Sequence, residues 1–194
     1  MRTHTLGLAG IICSPFMAIM LHLSGIFENH NPTSLAAALS LIYMTGWFCS
    51  IIGLYQLNAA GYKKGRIVLL IQMMLLTVGN LWNIYSIIDP ECNTIFFHIA
   101  DLIGWPLDNI FMIVTGIAVA SARQLQGWKR FVPLFAGFWF PVTVVLAPML
   151  FGTSSITLMI TSLYSTIFWA LLGLTVYLSA GEKEATAYTA VRYI

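Results

Sequence analysis

Residues 95–122 read IFFHIADLIGWPLDNIFMIVTGIAVASA, a mostly apolar run that contains no lysine or arginine. A helix needs roughly 20 such residues to cross a hydrocarbon core about 30 Å thick, and this run is longer. We therefore predict that it crosses a membrane. It also carries two carboxyl groups, Asp101 and Asp108, on either side of a Trp105-Pro106 pair. No other predicted span contains an acid.

The composition of the whole chain also indicates a membrane protein. Of its 194 residues, 59% are hydrophobic and 8% are charged, whereas about 25% of the residues in a typical soluble chain are charged. Similar apolar runs recur along the sequence. We predict an all-α fold, a single integral membrane domain in which six transmembrane helices form a bundle with short loops. The predicted spans are 6–27, 35–60, 67–88, 95–122, 131–152 and 155–180.

The basic residues predict the orientation of this bundle. All nine Lys and Arg lie on one side of the six predicted spans, and the opposite loops contain none. They are Arg2, Lys63, Lys64, Arg66, Arg123, Lys129, Arg130, Lys183 and Arg192. Because short loops rich in Lys and Arg stay in the cytoplasm, both termini are expected to be cytoplasmic. The expected location is the inner membrane of a bacterium.

Several classes of function are excluded or unsupported by the sequence. The apolar spans are expected to lie in the lipid bilayer. Because the basic residues are spread over short loops and form no patch, no nucleic-acid partner is expected. Cys13, Cys49 and Cys92 lack the spacing of a disulfide framework or a zinc site, and no metal site is predicted. Asp101 and Asp108 are roughly 10 Å apart on one helix, too far for the paired acids of an aspartyl protease. No span contains the lysine of a retinal Schiff base or the arginines of a voltage sensor.

The face of the fourth span that carries Asp108 is the first candidate for a functional site. Steps of three or four residues place His98, Asp101, Trp105, Asp108 and Met112 on one side of a helix. Counted from the inner end of the span, Asp101 falls at the outer interface and Asp108 roughly 10 Å deeper. A charge at that depth is costly unless it is hydrated or paired, and no span offers a cation. Asp108 is therefore expected to carry a proton or to face a water-filled cleft.

Three other polar residues are expected to line the same cleft. Asn80 and Asn83 lie on a polar stripe of the third span that also includes Gln72, and His22 lies in the outer third of the first span. Buried amides pair across helices in membranes. We therefore expect the two asparagines to be the partners of Asp108.

Small residues and prolines predict local features of two other spans. Gly46, Ser50 and Gly53 share a face of the second span, and small residues at this spacing let helix backbones approach closely. They are predicted to form a helix-packing seam. Pro141 and Pro148 are expected to kink the fifth span.

Three kinds of function remain open. The first is a small transporter-like protein with an outward-facing polar cleft centred on Asp108, because transporters place binding groups beside broken helices. The second is a non-catalytic membrane partner or assembly subunit, working with another protein or as a homo-oligomer. The third is a lipid-modifying enzyme, or a redox protein that holds haem between His22 and His98. Since no catalytic set is complete, we predict no catalytic residue and no cofactor, and the first two interpretations are preferred.

Overall fold

The computed structural model describes residues 2–23, 34–89 and 105–192, and the regular structure in these ranges is entirely helical. The helices are α1 (Thr3–Cys13), α2 (Phe16–Leu23), α3 (Ser34–Gln56), α4 (Lys64–Ile88), α5 (Trp105–Ala122), α6 (Val132–Gly137), α7 (Ala147–Phe151) and α8 (Ser155–Arg192). A 3₁₀ turn, Gly127–Phe131, precedes α6, and a π-helical segment, Pro141–Leu146, precedes α7.

Four stretches of helix are long and apolar enough to cross a membrane. They are Thr3–Leu23, Ser34–Gln56, Lys64–Ile88 and Ser155–Lys183. A bent pair, Gly127–Gly137 with Pro141–Phe151, is a fifth if the two halves form one span. Helix α5 is also apolar, but residues 95–104 of the predicted fourth span lie outside the described residues. Within residues 2–23, 34–89 and 105–192 the structure is therefore all-helical, with four or five apolar spans suited to a membrane, and the count of six stays a prediction.

The helices pack in a ring that follows the order of the chain. Helix α1 packs against α3, α3 against α4, α4 against α5, and α5 against α6. Helix α8 closes the ring because it contacts both α6 and α1, and it also packs against α3. The shared core includes Trp47, Leu76, Met112, Trp169 and Leu172.

Close backbone contacts hold α3 to its neighbours at the predicted seam. A Cβ atom on Gly46 would lie 2.3 Å from the Cβ of Cys13 on α1. A Cβ atom on Gly53 would lie 2.3 Å from a methyl carbon of Val176 on α8. Ser50 is buried between them and donates to the Gly46 carbonyl at 3.1 Å. Small side chains thus let α3 approach two helices at once.

The predicted kink in the fifth span is confirmed at Pro141. The helical stretches on the two sides of this break differ in direction by 46°. Proline has no N–H to donate to the preceding turn, and kinks form at prolines and π-helical segments. Beside the bend, Trp139 Nε1 donates to Ser165 Oγ of α8 at 2.6 Å. The bend is therefore fastened to the neighbouring helix.

Charged side chains gather at one end of the bundle, which we call the Lys129 end. The buried Lys129 forms an ion pair with Glu182 of α8. The next residue, Lys183, donates Nζ to the Leu57 carbonyl after α3 at 2.5 Å. The loop after α3 and the start of the fifth span therefore lie at the same end as the charged part of α8. Which side of the membrane this end faces stays a prediction.

Candidate functional site

Asp108 lies inside the bundle, where α5 packs against α4. Only 2% of its surface is exposed. Gln72 of α4 is fully buried, donates Nε2 to Asp108 Oδ1, and lies 3.4 Å from the Asp108 carbonyl oxygen. Thr115, two turns further along α5, donates Oγ1 to Gln72 Oε1 at 3.2 Å. We call this arrangement of Gln72, Asp108 and Thr115 the Gln72 bridge.

The second carboxyl oxygen of Asp108 is free. Oδ2 is buried and has no hydrogen-bond partner among the described residues. A buried carboxyl group that has no cation beside it is costly in its charged form. Oδ2 is thus available for a proton, a cation or a water molecule, while Oδ1 is held by the amide of Gln72.

The position of Gln72 along α4 explains why Asn80 and Asn83, the expected partners of Asp108, do not contact it. At a rise of about 1.5 Å per residue, Gln72 lies ~12 Å from Lys64 and ~24 Å from Ile88. Asn80 and Asn83 lie ~12 Å and ~16 Å further along α4, away from the Lys129 end. The partner of Asp108 therefore comes from the predicted polar stripe, but from its other end.

The two asparagines make their own contacts in the structure. Asn83 donates Nδ2 to the sulfur of Met44 at 3.1 Å. Asn80 donates Nδ2 to the Leu76 carbonyl at 3.0 Å, and its side-chain oxygen has no partner among the described residues. These contacts hold the part of α4 that is far from the Lys129 end, and Gln72 is the residue of the polar stripe that bonds Asp108.

The remaining predicted site residues are not brought to Asp108 by the described part of the chain. His22 is exposed at the end of α2, and its Nε2 lies 3.4 Å from Ser162 Oγ of α8. His98 and Asp101 lie outside the described residues. The predicted rim of a cleft, and a haem held by His22 and His98, accordingly stay predictions. Asp108 itself does not border an open cleft here, since it is almost fully buried.

An aromatic cluster that the sequence analysis did not single out lies at the centre of the bundle. The ring centroids of Trp47 and Trp169 are 4.1 Å apart, and those of Tyr43 and Trp169 are 5.8 Å apart. The indole N–H of Trp47 is buried and has no partner among the described residues, whereas the side chain of Trp169 interacts with that of Tyr43. We call Tyr43, Trp47 and Trp169 the central aromatic cluster.

The chain was also compared with known proteins. No family model, no curated protein and no solved structure matched it. The features of the molecule that bear on its function are therefore the geometry around Asp108 and the polar groups near it.

Proposed function

We propose that this protein is a small transporter-like membrane protein in which Asp108 takes up and releases a proton or a cation as a substrate passes. The observation that supports the proposal is the Gln72 bridge, which holds one carboxyl oxygen of Asp108, while the other has no hydrogen-bond partner among the described residues. Ionisable groups inside membrane spans are rare and often belong to ion or proton pathways. Burying an unpaired carboxyl group costs free energy, and a role in ion or proton transfer would explain why this chain has one at this position.

The Gln72 bridge suggests how Asp108 is kept ready to exchange a proton. Because Thr115 donates to Gln72 Oε1, the amide is oriented with Nε2 towards Asp108. That donor can hold Oδ1 whether or not the carboxyl group carries a proton. Exchange then takes place at Oδ2. In the closed site a neutral carboxyl group is favoured, and admission of water or a cation favours the charged form.

The topology is part of the same proposal. We propose six spans with both termini in the cytoplasm, in the inner membrane of a bacterium. The one-sided distribution of all nine Lys and Arg supports this arrangement, as does the gathering of charged residues at the Lys129 end. In this arrangement an outward-facing cleft would open from the outside to reach Asp108, which is buried in the structure.

The direct test is uptake by purified protein in proteoliposomes. Wild type and Asp108→Asn are compared across a panel of small solutes, with and without a pH gradient. Asn keeps the shape of the side chain and can still accept from Gln72, but it cannot exchange a proton. The matched control is Asp89→Asn, the same change at an exposed acid beyond α4. We expect Asp108→Asn alone to abolish gradient-driven uptake, and equal flux in all three proteins would refute the proposal.

A second candidate function, a non-catalytic membrane partner or assembly subunit, is favoured by the closed packing at Asp108. A hydrogen bond between membrane helices contributes about 0.6–2 kcal/mol, so the Gln72 bridge would also serve as a clasp between α4 and α5. Cross-linking in native membranes followed by purification tests this alternative. Recovery of the chain with a stable companion, or as a homo-oligomer, supports it, and recovery as a lone monomer argues against it.

A further inference from the structure

One face of α8 carries hydroxyl side chains along most of its apolar length. Successive steps of three or four residues connect Thr157, Thr161, Ser165, Phe168, Leu172, Thr175, Ser179 and Glu182. The five hydroxyl residues among them are all buried. This face therefore turns towards the interior of the bundle, and it ends at the Lys129–Glu182 ion pair.

The three hydroxyls furthest from the Lys129 end are satisfied by hydrogen bonds. Thr157 donates to the Gly152 carbonyl at 2.6 Å, and Thr161 donates to the Thr157 carbonyl at 2.9 Å. Ser165 donates to the Thr161 carbonyl at 2.6 Å and accepts the indole N–H of Trp139. These residues need no further partner.

The two hydroxyls nearest the Lys129 end differ from them. Thr175 and Ser179 are 0% and 5% exposed, and neither hydroxyl oxygen has a hydrogen-bond partner among the described residues. Burying a hydroxyl without a bond costs about 1–3 kcal/mol. Two such groups one turn apart on an interior face are the setting in which ordered water completes the bonding.

The surroundings of Thr175 and Ser179 offer polar groups on both sides. Glu182 follows Ser179 by three residues on the same face, and its side chain is 58% exposed although it pairs with the buried Lys129. In the other direction lies the central aromatic cluster, in which the indole N–H of Trp47 is also buried without a described partner. Unsatisfied polar atoms thus continue from the middle of the bundle towards a charged pair that reaches solvent.

We propose that Thr175 and Ser179 line a water-filled recess that opens at the Lys129–Glu182 pair and runs along α8 towards the central aromatic cluster. Its ligand is water, held by the two hydroxyls and by the indole N–H of Trp47. The recess does not depend on any activity of Asp108. If the proposed function also holds, the recess is the route by which a proton from Asp108 reaches the Lys129 end.

Cysteine accessibility tests the recess without any assay of transport. Thr175→Cys and Ser179→Cys are each made in a background carrying Cys13→Ala, Cys49→Ala and Cys92→Ala. Membrane vesicles that expose the Lys129 end are treated with 2-aminoethyl methanethiosulfonate. The thiolate attacks the reagent sulfur that carries the aminoethyl group, a disulfide forms, the bond from that sulfur to the sulfonyl sulfur breaks, and methanesulfinate leaves. The control is Leu178→Cys, which adjoins Ser179 but is 40% exposed on the outer surface of the bundle.

The expected result follows from the need for water to form the thiolate. Both recess cysteines should react roughly tenfold or more faster than Leu178→Cys, which faces lipid. Thr161→Cys is a second control, because it replaces a buried hydroxyl that is already bonded, and it should react slowly as well. If Thr175→Cys does not accumulate, Ser179→Cys carries the comparison. Labelling of the recess cysteines at the rate of either control overturns the proposal.

Discussion

At the scale of single residues, the amide of Gln72 is important because both of its polar atoms are engaged. Oε1 accepts from Thr115 and Nε2 donates to Asp108, so one side chain of α4 fixes two points of α5. An apolar residue in its place would leave Asp108 with no partner on either oxygen among the described residues. The cost of removing Gln72 therefore exceeds that of the bonds alone.

The first prediction concerns this residue. Gln72→Leu should lower the free energy of unfolding in detergent by about 1–3 kcal/mol, because it leaves a buried carboxyl group unsatisfied. Thermal unfolding followed by tryptophan fluorescence measures the change. The control is Thr77→Val on the same helix, where an exposed hydroxyl bonds only the Met73 carbonyl and little change is expected. A similar effect of both substitutions would show that the Gln72 bridge contributes nothing specific.

Gly173 illustrates a second kind of constraint on a single residue. A Cβ atom there would lie 2.6 Å from the Ile11 nitrogen and 2.7 Å from the Gly7 carbonyl oxygen. Both are backbone atoms of α1, so the clash is relieved only if α1 and α8 move apart.

The second prediction is that Gly173→Ala destabilises the protein by about 1–3 kcal/mol, as overpacking typically does. Gly79→Ala is the comparison, since its Cβ would meet only the flexible end of Met44, at 2.5 Å. It should be tolerated. Midpoints of thermal unfolding in detergent measure the effect. An equal loss of stability for both alanine variants would contradict the prediction that the contact between α1 and α8 is the tighter one.

At the scale of the elements, the bend at Pro141 depends on the neighbouring helix. Within the bend, Thr143 Oγ1 donates to the Trp139 carbonyl at 2.8 Å. The indole of Trp139 reaches out of the bend to Ser165 on α8. Because π-helical turns bond less regularly than α-helical ones, an external bond of this kind helps to select one direction for the kink.

A third prediction tests this contact by a double-mutant cycle. Trp139→Phe and Ser165→Ala should each destabilise the protein, and the double variant should lose about 0.5–1.5 kcal/mol less than the sum of the two. Chemical unfolding in mixed micelles provides the free energies. Strict additivity would mean that the hydrogen bond between the fifth span and α8 has no energetic role.

At the scale of the whole molecule, the parity of the spans determines where the two ends of the chain lie. Four or six spans place the termini on the same side of the membrane, whereas five place them on opposite sides. The one-sided basic residues favour the first arrangement.

The fourth prediction is therefore that reporters fused to either terminus both report a cytoplasmic location. A fluorescent protein that folds only in the cytoplasm, compared with a phosphatase active only outside it, gives the readout. Fusion after Asp89, in a loop expected to be external, supplies the opposite result as a control. Termini on opposite sides of the membrane would contradict the prediction of six spans and would indicate five.

The class of fold could be predicted from the sequence because long apolar runs and one-sided charges are strong signals. The sequence also showed that Asp108 lies inside an apolar run, but it did not distinguish burial from a water-filled cleft, and the depth of Asp108 in a membrane stays a prediction. Its partner could not be predicted, because Gln72, Asn80 and Asn83 share one stripe and differ only in height. To choose among them, one must know how far α4 is shifted along its axis relative to α5. That shift depends on loop lengths and helix tilts, which the spacing of polar residues in the sequence does not reveal. The central aromatic cluster depends in the same way on how α3 and α8 face each other.

The closure of the ring by α8 has a consequence for the order in which the protein is made. Helix α1 packs its glycines against Gly173, yet most of the chain is synthesised between them. Until α8 enters the membrane, α1 offers a groove with nothing to fill it except lipid or α3. Contacts between distant parts of a chain form slowly. We therefore expect the first helices to pack as an incomplete ring until α8 is in place. The insertion of α8 is then the step that closes the ring.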